Sequence, residues 1–266
     1  MDLGLAGRVC AVTGASRGIG RATARQLCAE GADVLLVARG TDDLADAIEE
    51  CRAACSESGG HAEAVALDVT DDDAGERLLE AANGKLDVLV NNAGTSRRRD
   101  LEEIPDEDWY AAWELNVMAP LRLMRAALPP MRERGWGRVV NVSSTSAKRP
   151  SPEMGEYSVA KAGMLSLSRL FADRYAGSGV LVNAVCPGPT ETELWMEPGG
   201  LLDQASELAG ASREQVLEAV GAKRPIGRLA EPDEIAAAIV FLCSERASYV
   251  AGSAWSVDGG TVQVII

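Results

Sequence analysis

The stretch RVCAVTGASRGIGRATARQL, Arg8 to Leu27, places a short apolar strand, a glycine turn and the start of an Ala/Arg/Leu-rich helix in immediate succession. Glycines at a strand-to-helix junction let the backbone approach a pyrophosphate closely. The helix beginning near Gly18 offers free N–H groups and the positive end of its dipole to the same anion. The spacing Gly14-x3-Gly18-x-Gly20 departs from the GxGxxG dinucleotide fingerprint. Glycine turns also serve ordinary packing, so the surrounding chain decides how this one is used.

Outward from the turn, short runs rich in Val, Ala and Leu recur: DVLLVAR (33–39), AEAVALD (62–68), LDVLVNN (86–92), RVVNVSS (138–144), VLVNAVCP (180–187) and SAWSVDGG (253–260). Runs that are apolar throughout suggest parallel strands buried on both faces. Between them lie segments long enough for crossover helices, at 19–31, 41–55, 109–131 and 160–176. The repetition predicts an α/β fold: a single-domain, Rossmann-type doubly wound parallel sheet over residues 1–266, flanked by helices on both faces. The irregular stretch after VLVNAVCP, about 190–225, carries Pro198, Gly199 and Gly200 and reads as a substrate lid built on a helix pair.

Composition narrows the chemistry. A net charge of -14 repels nucleic acid and acidic membrane surfaces. No export signal is visible, and no run approaches the roughly eighteen apolar residues of a membrane span; a cytoplasmic protein is expected. The six cysteines are far apart in sequence with no CxxC pair, which predicts reduced thiols and neither a disulfide framework nor a zinc site. The one histidine, His61, is expected in an exposed loop. No metal is therefore expected, and acid–base chemistry falls to Tyr, Lys or carboxylates.

The turn TGASRGIG, followed in order by Asp68-Val69, Asn91-Asn92-Ala93-Gly94, Asn116, Ser144, Tyr157-x3-Lys161, Pro187-Gly188 and Val257-Asp258-Gly259-Gly260, resembles the short-chain dehydrogenase/reductase family. Within it the pattern is most similar to bacterial 3-oxoacyl-carrier-protein reductases. The resemblance implies an oxidoreductase that passes hydride between NADP(H) and a carbonyl or secondary alcohol. It implies catalytic roles for Asn116, Ser144, Tyr157 and Lys161, with Ser144 positioning the substrate oxygen and Lys161 also holding the nicotinamide ribose. Ser144 is preferred to Ser143 for lying thirteen residues before Tyr157. Cofactor contacts carried over from the family are Gly14, Ser16, Arg17, Gly18, Ile19, Gly20, Asp68, Val69, Asn92, Ala93, Gly94, Pro187, Gly188, Thr190 and Thr192. Thr190 stands where many relatives carry Ile or Val. Family members are commonly tetramers, so a homo-oligomer, tetramer or dimer, is expected, and the apolar end VQVII is compatible with burial against a partner chain.

Tyr157 and Lys161 lie one helical turn apart on one face. A free phenol has a pKa near 10 and is a poor catalyst at neutral pH. The ammonium and the oxidised nicotinamide ring are expected to lower it, so that Tyr157 exchanges a proton with the substrate oxygen. NADP(H) is expected over NAD(H) because Ala38 follows the second run where an acidic residue would bind ribose hydroxyls, while Arg39 and Arg17 suit a 2′-phosphate. In the lid, Trp195, Met196, Leu201 and Leu202 are expected to form an apolar wall. Two readings stay open for Arg97, Arg98 and Arg99: attraction of an anionic substrate arm, or a solvated run balanced by Asp100, Glu102 and Glu103. Alternatives for the whole chain are an NAD(H)-dependent sugar, steroid or small-alcohol dehydrogenase, a nucleotide-sugar epimerase of the extended relatives, and a non-catalytic NADP-binding sensor or scaffold.

Overall fold

The computed structural model describes residues 1–40 and 42–263; of the apolar terminal segment, 264–266 lie outside the described residues. All seven apolar runs form strands: β1 (Val9–Thr13), β2 (Asp33–Ala38), β3 (His61–Ala66), β4 (Val88–Asn91), β5 (Gly137–Val142), β6 (Val180–Pro187) and β7 (Ala254–Val257). They pair in parallel in the order β3-β2-β1-β4-β5-β6-β7. Crossing from β1 to β4 reverses the winding, which puts the ends of these two strands at the switch point where open α/β sheets bind ligands.

Ten α-helices are seen among the described residues. On one face α1 (Gly18–Ala29), α2 (Ala45–Ser58) and α10 (Pro232–Cys243) bury Leu27, Ile48 and Ile239 against Val34 and Leu36 of β2. On the other, α3 (Ala74–Ala81), α5 (Ala119–Glu133) and α6 (Gly155–Tyr175) bury Leu78, Leu128 and Ala172 against Leu35 and Val37 of the same strand. The period-two alternation of one apolar strand thus feeds two cores, as a doubly covered sheet requires. The edge strand β3 departs from that rule. His61 and Glu63 are exposed there, and His61 opens a strand where a loop was expected.

Three further expectations change. The segment read as one helix at 109–131 is α4 (Asp106–Trp113), a π-helical turn at Glu114–Met118 and α5, with Pro129 and Pro130 accommodated near the end of α5. The six cysteines are indeed free and buried, but they are not all apart. Cys28 of α1 lies in the same buried cluster as Cys51 and Cys55 of α2. The stretch after β6 holds α7 (Glu193–Met196), α8 (Leu201–Ala209) and α9 (Arg213–Ala222) around a small core of their own, in which Leu202 and Val216 are buried.

Candidate active site

The glycine turn is built for close approach. Gly14 and Gly18 have φ of 64° and 53°, conformations that favour glycine. A Cβ on Gly20 would sit 2.2 Å from the Gly14 carbonyl oxygen. No side chain caps α1 and no acid occupies its first turn, so its leading N–H groups face the cleft unsatisfied. Thr13, to which the sequence pattern assigns no role, ties this turn to the end of β4. Its Oγ1 donates to the Val90 carbonyl and accepts from the N–H groups of Asn92 and Ala93 at 2.9 and 3.0 Å. Asn92 Nδ2 closes the latch by donating to the Thr13 carbonyl at 2.9 Å.

A cleft of about 960 Å³ runs along the carboxyl ends of the strands from this turn. At one end it is lined by Ser16, Ala38 and Arg39, with Asp68 and Val69 beside them; Asn92, Ala93 and Gly94 also line it, as does Arg17, which pairs with Glu197 of the 190–225 segment at 3.4 Å. Pro187, Gly188 and Thr190 line it with Ser144, Tyr157 and Lys161, and Thr192 reaches the glycine turn, its Cγ2 3.0 Å from where a Cβ on Gly18 would sit. Gly14, Gly18 and Ile19 also line it. Gly20 does not, since it packs beneath the turn, and Asn91 is buried behind the sheet end, donating to Asn141 Oδ1 at 2.7 Å. Asp68 accepts from the N–H and hydroxyl of Thr70, which holds its carboxyl below the usual range. A long cleft with a backbone anion cradle at one end and a Tyr/Ser/Lys group at the other fits an extended dinucleotide.

The two serines after β5 separate by their partners. Ser143 Oγ donates to the Lys161 carbonyl at 3.0 Å, while Ser144 Oγ accepts from the Ser146 N–H at 3.0 Å and pulls the Tyr157 phenol down. Lys161, only 2% exposed, donates from Nζ to the Val142 carbonyl at 2.7 Å. Burial pulls its ammonium down to about 7. Tyr157 keeps part of its ring open to the cleft, yet desolvation around it pushes the phenol up to about 12, with Ser144 pulling the other way. Desolvation is the larger effect on the phenol, and Ser144 the smaller, opposing one. Asn116 sits in the π turn, donating from Nδ2 to the Ala112 carbonyl at 2.9 Å. It lines an adjoining cavity of about 560 Å³ that shares Tyr157 with the main cleft.

Of the expected apolar wall, Trp195 and Leu201 line the cleft; Leu202 and Met196 turn into the small core of α7–α9. The arginine run is paired, but with more distant partners than its acidic neighbours: Arg98 with Glu153 and Arg99 with Asp108. Arg97 lines the adjoining cavity with its side chain exposed. Sequence reading missed Glu156, which lines the same cavity and is buried. A charged residue next to a catalytic candidate in a helix gives no signal of burial.

Among the described residues, no cluster of metal-ligating side chains and no helix long and apolar enough to cross a membrane is present. The chain matches the family model described as enoyl-(acyl carrier protein) reductase over residues 14–262. It is 40% identical to the cis-4-hydroxycyclohexanecarboxylate dehydrogenase of Sinomonas cyclohexanicum, across 99% of this chain and 100% of that protein. It is 33% identical to the 3-oxoacyl-[acyl-carrier-protein] reductase of Thermotoga maritima, across 97% and 99%. The structure of L-sorbose reductase from Gluconobacter frateurii, complexed with NADPH and L-sorbose, superimposes with a TM-score of 0.90 at 36% identity, covering 100% of both chains. With the strand order, the glycine turn and the Ser/Tyr/Lys group in agreement, the chain belongs to the short-chain dehydrogenase/reductase family of oxidoreductases.

Proposed function

We propose that the protein is an NADP(H)-dependent ketoreductase, interconverting a carbonyl and a secondary alcohol in the cleft between the glycine turn and Tyr157. The observation that carries the reading is the placement of Ser144, Tyr157 and Lys161 on one wall of a cleft whose far end offers Arg39 and no acid at Ala38. Gly14 to Ile19 and the α1 N-terminus would hold the pyrophosphate, Arg39 and Arg17 a 2′-phosphate, and Lys161 with Thr190 and Thr192 the nicotinamide half. When bound, the dinucleotide supplies or accepts the hydride.

Tyr157 holds the proton. With its phenol at about 12 it is protonated at neutral pH, the state that donates to a carbonyl oxygen. Ser144 directs a hydroxyl at the same oxygen. Lys161, fixed by the Val142 carbonyl, keeps two further donors for a ribose and for water when it is protonated. Asn116 Oδ1 and Lys161 Nζ lie 3.3 and 3.5 Å from where a Cβ on Gly94 would sit, and Asn116 would order a water-linked proton path there. The glycine turn and the Tyr/Lys pair act as one catalytic unit, with residues 190–225 as its lid.

The relatives' names point to two carbonyl classes, acyl-carrier-protein thioesters and hydroxylated ketones. The first follows the sequence resemblance, the second the similarity to the sorbose reductase. We read the protein as a cytoplasmic homo-oligomer, a tetramer or dimer. The six free cysteines support the first part, and the exposed Tyr110 and Trp113 of α4, at 74% and 43%, support a subunit interface there. The direct test is NADPH oxidation, against NADH, over a panel of ketones. Absence of turnover with tight NADPH binding would favour a sensor.

A further inference from the structure

Two carboxylates of the 190–225 segment stand where the cleft is built to take phosphate. Glu193 and Glu197 both line it together with Arg17. A Cβ on Gly18, the first residue of α1, would lie only 3.4 Å from Glu193 Oε2, so this oxygen rests against the glycine turn. Glu197 Oε2 is 3.4 Å from Nη1 of Arg17, the residue just before the helix.

Each acid meets a group that the cofactor also needs. α1 has neither a capping side chain nor an acid in its own first turn, and a negative charge beside its leading N–H groups is stabilised. Glu193 brings one from outside the helix. Arg21, the basic residue of that turn, is held instead by Glu50 at two points, 2.9 and 2.8 Å. Glu193 also opens α7, where an acid favours its own helix. That accounts for the residue type, but not for a carboxylate turned onto Gly18. Arg17, while it holds Glu197, has less to offer a phosphate.

A dinucleotide phosphate carries its negative charges into the same space, and like charges inside the roughly 8 Å screening length of physiological salt repel. Resting on the NADP(H) reading above, we propose that Glu193 and Glu197 are internal competitors of the cofactor's phosphates. Glu193 opposes the pyrophosphate at the α1 N-terminus, and Glu197 withholds Arg17 from the 2′-phosphate. The two acids set cofactor affinity lower than the cradle alone gives, and release correspondingly faster. Only side chains have to swing aside, Arg17 and Glu197 each being 56% exposed, so the segment itself need not leave the cleft.

The test is fluorescence titration of NADPH and NADH with the parent, Glu193→Gln, Glu197→Gln, Arg17→Gln and Arg17→Gln/Glu197→Gln, at about 20 mM and about 500 mM salt. The glutamines keep the shape and remove the charge. At low salt Glu197→Gln should tighten NADPH about fivefold, about 1 kcal/mol, and NADH less than about twofold. That gain should vanish in the Arg17→Gln background, because the competitor then has nothing to withhold. Glu193→Gln should tighten both cofactors about threefold, and dissociation of NADPH, followed by stopped flow, should slow in proportion. Unchanged affinity in either variant overturns the proposal, leaving an ordinary surface acid. Weaker affinity overturns it too, since the acids would then clamp the segment over the bound cofactor. So does a gain that persists undiminished at high salt or, for Glu197, without Arg17. A parent that binds NADH as tightly as NADPH refutes the 2′-phosphate reading instead, and Glu193, which is read with either cofactor, still tests the inference.

Discussion

Lys161 Nζ lies 5.6 Å from the centre of the Tyr157 ring while donating to the Val142 carbonyl. The pair one turn apart on α6 therefore meets at the ring, and the lysine is anchored to the end of β5. Strand and helix together fix both groups, and each is displaced from its ordinary proton affinity mainly by burial.

Tyr157→Phe removes the hydroxyl and leaves the ring that lines the cleft. Cofactor affinity should stay within a few-fold, and kcat should fall by about two orders of magnitude or more, the usual range for an acid–base group. Steady-state kinetics with fluorescence titration of NADPH measures both; near-normal kcat would remove Tyr157 from its role.

Lys161 links stability to pH. Its folded pKa of about 7 lies below the unfolded value of about 10.4, so below about pH 7 both states carry the proton and the fold bears the full cost of a buried ammonium. Between the two values only the unfolded chain holds the proton, and stability rises with pH. From pH 6.5 to 8.5 the gain is about 2 kcal/mol. Buried thiols such as Cys10 and Cys243, whose pKa values are raised, act oppositely above about pH 8.5. The measurement is accordingly a difference: urea unfolding of cofactor-free parent and Lys161→Met at both pH values. The variant should be the more stable at pH 6.5, by a margin that shrinks at 8.5; a constant margin would contradict the assignment.

Arg39 is exposed and lines the cleft beside Ala38. In Ala38→Asp/Arg39→Ala, a carboxylate that accepts from ribose hydroxyls replaces a guanidinium suited to a phosphate. The kcat/KM ratio of NADPH to NADH should invert from at least tenfold in favour of NADPH, about 1.4 kcal/mol. A parent enzyme that already prefers NADH would overturn this reading of β2.

Leu202, 2% exposed, fills the small core of α7–α9 with Trp195 and Val216. Leu202→Ala should cost about 2–5 kcal/mol, felt locally because that core is separate from the two beneath the sheet. Limited proteolysis within 190–221 should accelerate at least about tenfold. If the segment gates the cleft, NADPH should slow that cleavage in the parent; equal rates with and without it would argue for a permanently ordered cap.

What could be read from the chain was what depends on local pattern. Apolar runs located every strand, and the Gly14–Gly20 turn located the switch point, because strand burial and tight turns leave a mark at short range. The helix spacing of Tyr157 and Lys161 placed them together for the same reason. Glu156, Thr13 and the Cys28/Cys51/Cys55 meeting were illegible: each depends on what a distant segment packs against the residue. The partners of Arg98 and Arg99 were misread for that reason, since Glu153 and Asp108 reach them through the fold and not along the run.

The π turn at Glu114–Met118, where the Ala119 N–H reaches back five residues to the Glu114 carbonyl, gives the chain one residue more than a continuous α-helix would spend there. Removing a single residue at Leu115 would let α4 and α5 fuse into an ordinary helix with Leu123 and Leu128 still facing the sheet. The amide of Asn116 would no longer be carried out to the cavity. Length polymorphism at this point is thus a way for the same architecture to gain or lose a polar group beside Tyr157 without disturbing the layer beneath it.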